Sequence, residues 1–247
     1  MNIKILHKTN MNFPKKFLEL NDCPEFIFVL GNEKILNNFS IGIVGARKAE
    51  YESKEIARKI SQDIAKQNIT IVSGLAVGVD SAAHKGALDV KGKTIAVLGN
   101  GLDKIYPREN TELALKIIES GGAIISEYFP ETEPVPINLH KRNRLISALS
   151  EGVVIIEAKR KSGSLITADY ALKQNKKLFV IPGSVNDLNY EGSNKLLVDG
   201  AKCICSAVNL FGEFESVPNS PWRTRDAFKF AGGRKHQKPR QKHGWRI

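Results

Sequence analysis

From residue 41 onward the chain alternates short β-branched apolar runs with stretches whose apolar positions recur every three to four residues. The apolar runs predict strands at 41–44, 69–72, 94–98, 123–125, 153–157 and 177–181, with a weaker one at 202–205. Between them the helical period predicts helices over 52–67, 79–88, 111–119, 141–149 and 164–174, each bounded by Gly, Asn, Pro or Ser. Strand and helix in this order build a parallel sheet covered on both faces. The fold class expected is therefore α/β, doubly wound and mostly parallel. Residues 1–40, which include the run Phe26-Ile27-Phe28-Val29-Leu30-Gly31, read as a short lead-in packed on the core at 41–216. A tail at 217–247 shows no sustained period.

Composition narrows the function classes. The 247 residues are 42% hydrophobic and 26% charged, a globular balance that excludes disorder throughout. No apolar run approaches the roughly 18 residues that cross a bilayer, and residues 1–12 hold no apolar signal core, so a cytoplasmic address without a membrane partner is expected. Three cysteines, Cys23, Cys203 and Cys205, cannot pair fully, as suits a reducing compartment. Cys203 and Cys205 lie one residue apart with no His or further Cys nearby, so no metal is expected. The formal charge of +11 points to an anionic partner. Nine Lys/Arg against the single acid Asp226 put +8 of it in residues 217–247, leaving +3 on the body. That tail reads as a flexible basic arm, either a nucleic-acid contact or a solvated end.

In an open α/β sheet the ligand lies beyond the carboxyl ends of the strands. The first core strand ends Gly45-Ala46-Arg47, where a glycine admits an anion to the backbone and an arginine can hold a phosphate by two parallel hydrogen bonds. The second ends Ser73-Gly74 and runs to Asp80, which reads as a cap for the helix that follows rather than as a catalytic acid. The third ends Gly99-Asn100-Gly101 and leads to Tyr106-Pro107. Lys141-Arg142-Asn143-Arg144 places three cations in what reads as a first helical turn, where the helix dipole prefers acids, so an anion is expected to offset them. After Glu157 come Lys159-Arg160-Lys161, and then Ser162, Gly163, Ser164 and Thr167 offer hydroxyls and amides at another helix start. His84, Glu127, Glu157 and Asp80 are the available acid–base groups, but no Ser/His/Asp order or Gly-x-Ser-x-Gly elbow accompanies them, so neither a catalytic residue nor a cofactor is expected. Two readings stay open on the residues alone: a binder of single-stranded nucleic acid, or a nucleotide-binding enzyme or sensor for a small phosphorylated ligand.

Taken in order, Gly45-Ala46-Arg47, the run from Ser73 to His84, Gly99-Asn100-Gly101-Leu102-Asp103, Arg142-Asn143-Arg144 and Ser162-Gly163-Ser164-Leu165-Ile166-Thr167-Ala168 resemble the DprA/Smf family of DNA-processing proteins. The resemblance extends from about Phe13 to about Ser206 and includes Ser126-Glu127-Tyr128, Ile181-Pro182-Gly183 and Gly192-Ser193-Asn194. It implies an extended Rossmann-like fold, single-stranded DNA as ligand, a homodimer, and protection and delivery of incoming strands to the RecA recombinase during natural transformation, with no reaction. Arg47 falls on the family's phosphate-binding arginine, and Arg142, Asn143 and Arg144 on its basic helix start, with Lys141 just before them. Ser162, Gly163, Ser164 and Thr167 fall on its hydroxyl-rich turn. With Gly45, Ser73 and Gly74 these form the expected nucleic-acid-binding set. The pattern departs at Ala46, where the family usually has serine, at Val77, often arginine, and at Leu139-His140, where a Phe-Pro pair normally stands. The chain reads as the family core without the helical domain in front or the winged-helix domain behind that many members carry.

Overall fold

The computed structural model describes residues 2–214, so the basic arm expected at 217–247 lies outside the described residues. One nine-stranded sheet runs through them. Two strands from the lead-in, β1 (Lys4–His7) and β2 (Phe26–Gly31), pair antiparallel with each other, and β2 pairs antiparallel with β6 (Ala123–Ser126). The strands β3 (Ser40–Gly45), β4 (Thr70–Ser73), β5 (Thr94–Leu98), β7 (Gly152–Ile156), β8 (Lys177–Val180) and β9 (Lys202–Cys203) join β6 in one parallel array. The order across the sheet is β1-β2-β6-β5-β4-β3-β7-β8-β9.

The apolar runs are continuous rather than alternating because the parallel strands β3 to β8 are buried on both faces, whereas the edge strand β9 is exposed. Ile41 and Ile43 of β3 pack with Ala57, Ile60 and Ile64 of α1 (Tyr51–Ala65) and Ala83 and Ala87 of α2 (Val79–Asp89). On the same side, α3 (Thr111–Glu119) lays Leu113 and Ile117 on Ala96, Leu98 and Ile124. The opposite face, with Val44, Val72, Val97 and Val153, lies under α5 (Asn143–Leu149) and α6 (Gly163–Lys173), beside Phe13 and Phe17 of the lead-in. Each such aliphatic side chain contributes roughly 1.5–3 kcal/mol relative to exposure.

The helix expected over 141–149 is two consecutive helices, because α4 (Pro136–Lys141) begins at a proline whose missing N–H is no loss in a first turn. Arg142 joins α4 to α5 with helical dihedrals, its N–H on the Asn138 carbonyl at 2.9 Å and its own carbonyl accepting from Leu145 at 2.8 Å. Residues 141–144 are thus not a free helix N-terminus, and the dipole argument built on them falls. Two further helices, α7 (Glu191–Val198) and α8 (Ala207–Phe211), follow β8. The last strand stops at Cys203 because Ser206 and Asn209 form a capping box that starts α8.

The chain moves outward from β3 through β4 and β5 to β6, then returns to place β7 on the other side of β3. This reversal opens a crevice at the carboxyl ends of β3 and β7.

Candidate nucleic-acid interface

A groove of about 440 Å³ occupies that crevice, walled by the end of β3, the β7–α6 turn and the α4–α5 junction. Glycine is required where β3 leaves the sheet. A Cβ on Gly45 would stand 1.9 Å from the Ile156 carbonyl oxygen. Gly78, with φ of +85°, caps α2 so closely that a Cβ would stand 2.3 Å from the Ala46 carbonyl oxygen. On the far wall the Ser162 hydroxyl oxygen accepts from the Ser164 N–H at 3.4 Å, capping α6, and the two hydroxyls lie 2.7 Å apart. Asn143 donates from Nδ2 to the Gly163 carbonyl at 3.3 Å, which fastens α5 to that turn.

Arg142 forms the floor. It is 4% exposed, and its Nη1 donates to the Gly74 carbonyl at 2.8 Å and also to the Val97 carbonyl, while Nε donates to Asn143 Oδ1 at 3.2 Å. Burial pulls its pKa down to about 10, with Asp80 opposing and Arg47 adding to the shift, so it is a cation at neutral pH. Asp80 lies beside it, and burial raises its carboxyl above the ordinary carboxylate value against the pull of Arg142 and the N–H groups of Ala76 and Gly74. On the rim, Arg47, Lys48, Lys159 and Lys161 are exposed. Among the described residues their side chains make no ion pair or hydrogen bond. Unpaired cations around an open trough leave their charge for a ligand, and a polyanion is the ligand such a field attracts.

Of the expected set, the fold brings Gly45, Arg47, Arg142, Asn143, Ser162, Gly163, Ser164 and Thr167 to this one groove. Arg144 goes elsewhere. It lies two residues from Arg142 on continuous helical backbone, a spacing that puts two side chains on opposite faces. Its Nε donates to Asp22 Oδ2 at 2.5 Å and its Nη2 to Glu127 Oε2 at 2.7 Å. Burial works against its charge, but Asp22 and Glu127 outweigh it and hold the pKa above the usual arginine value. Ser73 is fully buried and donates its hydroxyl to the Ile43 carbonyl at 2.6 Å. Gly74 borders a smaller adjoining hollow, but its N–H donates to Asp80 Oδ2 at 3.1 Å and is not open to a phosphate. Lys141 is exposed outside the groove lining. Asp80 is not the cap of α2, which is Gly78, but lies inside the first turn.

Three groove cations, Lys48, Lys159 and Lys161, lie outside the expected set. The available signal was positional: all three follow directly on the two strands that flank the reversal, and only the strand order reveals that these two are neighbours. His140 and Leu139, at the departure from the Phe-Pro pattern, also line the groove. Among the described residues no helix is long and apolar enough to cross a membrane, and no three His, Cys, Asp or Glu side chains gather as metal ligands would.

A family model for DNA recombination-mediator protein A matches residues 4–215. Protein Smf of Escherichia coli (strain K12) is 41% identical over 189 residues, which cover 76% of this chain and 50% of that protein. The chain therefore spans about half the length of this curated relative. The X-ray structure of DNA processing protein A from Streptococcus pneumoniae superposes with a TM-score of 0.80 at 36% identity, over 87% of this chain and 75% of that one. A Helicobacter pylori DNA processing protein A structure, described as giving insight into that protein's single-stranded DNA binding mode, superposes with a TM-score of 0.77 at 35% identity, over 87% and 96% of the two chains.

Proposed function

Because the chain belongs to the DNA recombination-mediator protein A family, we propose that it binds single-stranded DNA in the groove at the β3–β7 crevice. The observation that carries this reading is the row of exposed cations, Arg47, Lys48, Lys159 and Lys161, around a trough with Arg142 in its floor. The phosphates of an unpaired strand would meet Arg47 and Lys48 on one wall and the Ser162–Ser164 turn with Lys159 and Lys161 on the other. The description of the Helicobacter pylori relative supports the same ligand. In this reading the chain acts as a homodimer in the cytoplasm, protects incoming strands and hands them to the RecA recombinase during natural transformation, without chemical turnover.

Fluorescence anisotropy with the full chain and labelled oligothymidylates of 5 to 30 nucleotides tests the ligand. Affinity is expected to rise with length and to fall with salt. Four neutralised phosphates at about −0.7 each give a log–log salt slope of about −3 from the groove cations. Competition by a mononucleotide as strong as that by a 20-mer would overturn the strand reading.

A further inference from the structure

Among the described residues, His140 alone brings an imidazole to the basic groove. It lies in the last turn of α4, and the Arg142 backbone carries the helix on into α5. His140 and Asn143 are three residues apart on that helical backbone, a spacing that sets two side chains on one face. Asn143 donates to the Gly163 carbonyl, so this face is turned toward the start of α6. From there Lys159, Lys161, Ser162 and Ser164 border the groove. His140 is exposed, and its ring makes no ion pair or hydrogen bond among the described residues. Both ring nitrogens are open to a ligand.

The charges around it decide what a proton on this ring does. Arg47 and Lys48 border the groove from the end of β3, Lys159 and Lys161 from the β7–α6 turn, and Arg142 from the junction that follows His140. Asp80 of α2 is the one acid among the described residues that line it, and Lys141 stands next to His140 in the chain, outside the lining. A polyanion drawn in by these cations brings phosphate oxygens to the same rim. A neutral imidazole has one N–H to offer a phosphate, whereas the imidazolium has two and adds a full charge. A phosphate beside the ring in turn favours the imidazolium. Strand binding and proton uptake at this position are therefore linked, each strengthening the other.

We propose that His140 is a proton-gated contact to the bound strand, a cation that the groove gains as pH falls through the histidine range and that tightens its hold on a polyanion. The inference rests on the groove being the strand-binding site, and its test separates the two. The full chain, His140→Gln and His140→Arg are titrated by anisotropy with a 20-nucleotide oligothymidylate at pH 8 and at pH 5.5, each at three salt concentrations. Neither thymine nor the phosphodiester titrates between those values, and buried His84, its pKa lowered to about 3, stays neutral. The natural chain is expected to bind about fivefold more tightly at the lower pH, the gain for a histidine pKa that rises by about one unit on binding. Its log–log salt slope should steepen by about 0.7, one further single-strand phosphate contact. His140→Gln is expected to lose both changes, and His140→Arg to show at pH 8 the steeper slope that the natural chain reaches only at pH 5.5. An affinity of the natural chain that does not change with pH overturns the proton gate and leaves strand binding standing. A gain that persists in His140→Gln assigns it to Asp80, or to His236 and His243 outside the described residues, and overturns the role of His140. Failure to bind the oligonucleotide at either pH removes the strand reading and this inference with it.

Discussion

Asp80 and Arg142 meet over the α-carbon of Gly74, where an added methyl group would stand 2.7 Å from Asp80 Oδ2 and from Arg142 Nη2 alike. Both side chains are buried, whereas the cations that stand open to a ligand are those of the exposed rim. Arg142 is also held by the Gly74 and Val97 carbonyls, so moving aside costs it hydrogen bonds. Gly74→Ala is therefore expected to lower the free energy of unfolding by about 1–3 kcal/mol, the usual range for overpacking a filled site. Urea denaturation of the variant measures it, and an unmoved midpoint would show that the two side chains part freely.

Arg47 is the opposite case, an arginine whose side chain makes no ion pair or hydrogen bond among the described residues. Arg47→Ala is expected to leave the denaturation midpoint within about 0.5 kcal/mol of the parent, as for most surface changes. It should weaken oligothymidylate binding and make the salt slope shallower by about 0.7, one single-strand phosphate contact. Titrations at three salt concentrations decide this, and an unchanged slope would remove Arg47 from the interface.

Arg144→Ala should show the reverse pattern. Removing this guanidinium leaves Glu127, whose side chain is 8% exposed, as an uncompensated buried charge, a loss of about 3–5 kcal/mol. The paired substitution Arg144→Met with Glu127→Leu is expected to recover much of that loss, because replacing both charges removes the orphan. The folded fraction of either variant should bind DNA with the parent's salt slope. A reduced slope would mean that Arg144 reaches the strand after all.

His84 gives the fold an acid-sensitive point. It is fully buried in α2 with Nδ1 2.7 Å from the Thr94 hydroxyl, and burial, with Arg142 adding to it, lowers its pKa to about 3. The unfolded chain takes up a proton at this residue near pH 6.5 and the folded chain only near 3, so stability is expected to decline as pH falls through that window. The contribution of this one group is at most about 1.4 kcal/mol per pH unit. His84→Gln should flatten the decline between pH 6 and 4 in chemical denaturation, and an identical pH profile in the two proteins would reject the assignment.

Sequence pattern located the parallel core well for a physical reason. Strands buried on both faces are continuous apolar runs such as Ile41-Gly42-Ile43-Val44, and the helices between them keep one apolar stripe. The lead-in was harder to place, because β1 has only Leu6 buried among four residues and is a strand chiefly through its pairing with β2. The short α7 and α8 carry weak periods of their own.

For the site, local chemistry determined what the chain itself can state. Gly45-Ala46-Arg47 and Ser162-Gly163-Ser164 mark strand ends that suit an anion, and both line the groove. Which cations face it was decided by tertiary structure alone. Arg142 and Arg144 are indistinguishable as letters, yet the helical turn between them sends one to the groove floor and the other to Asp22 and Glu127. Lys48 and Lys159 follow two strands more than a hundred residues apart, and they border one groove only because β7 pairs with β3. A sequence records which side chains can carry charge. Burial, partnership and strand order determine which of those charges remain available to a ligand.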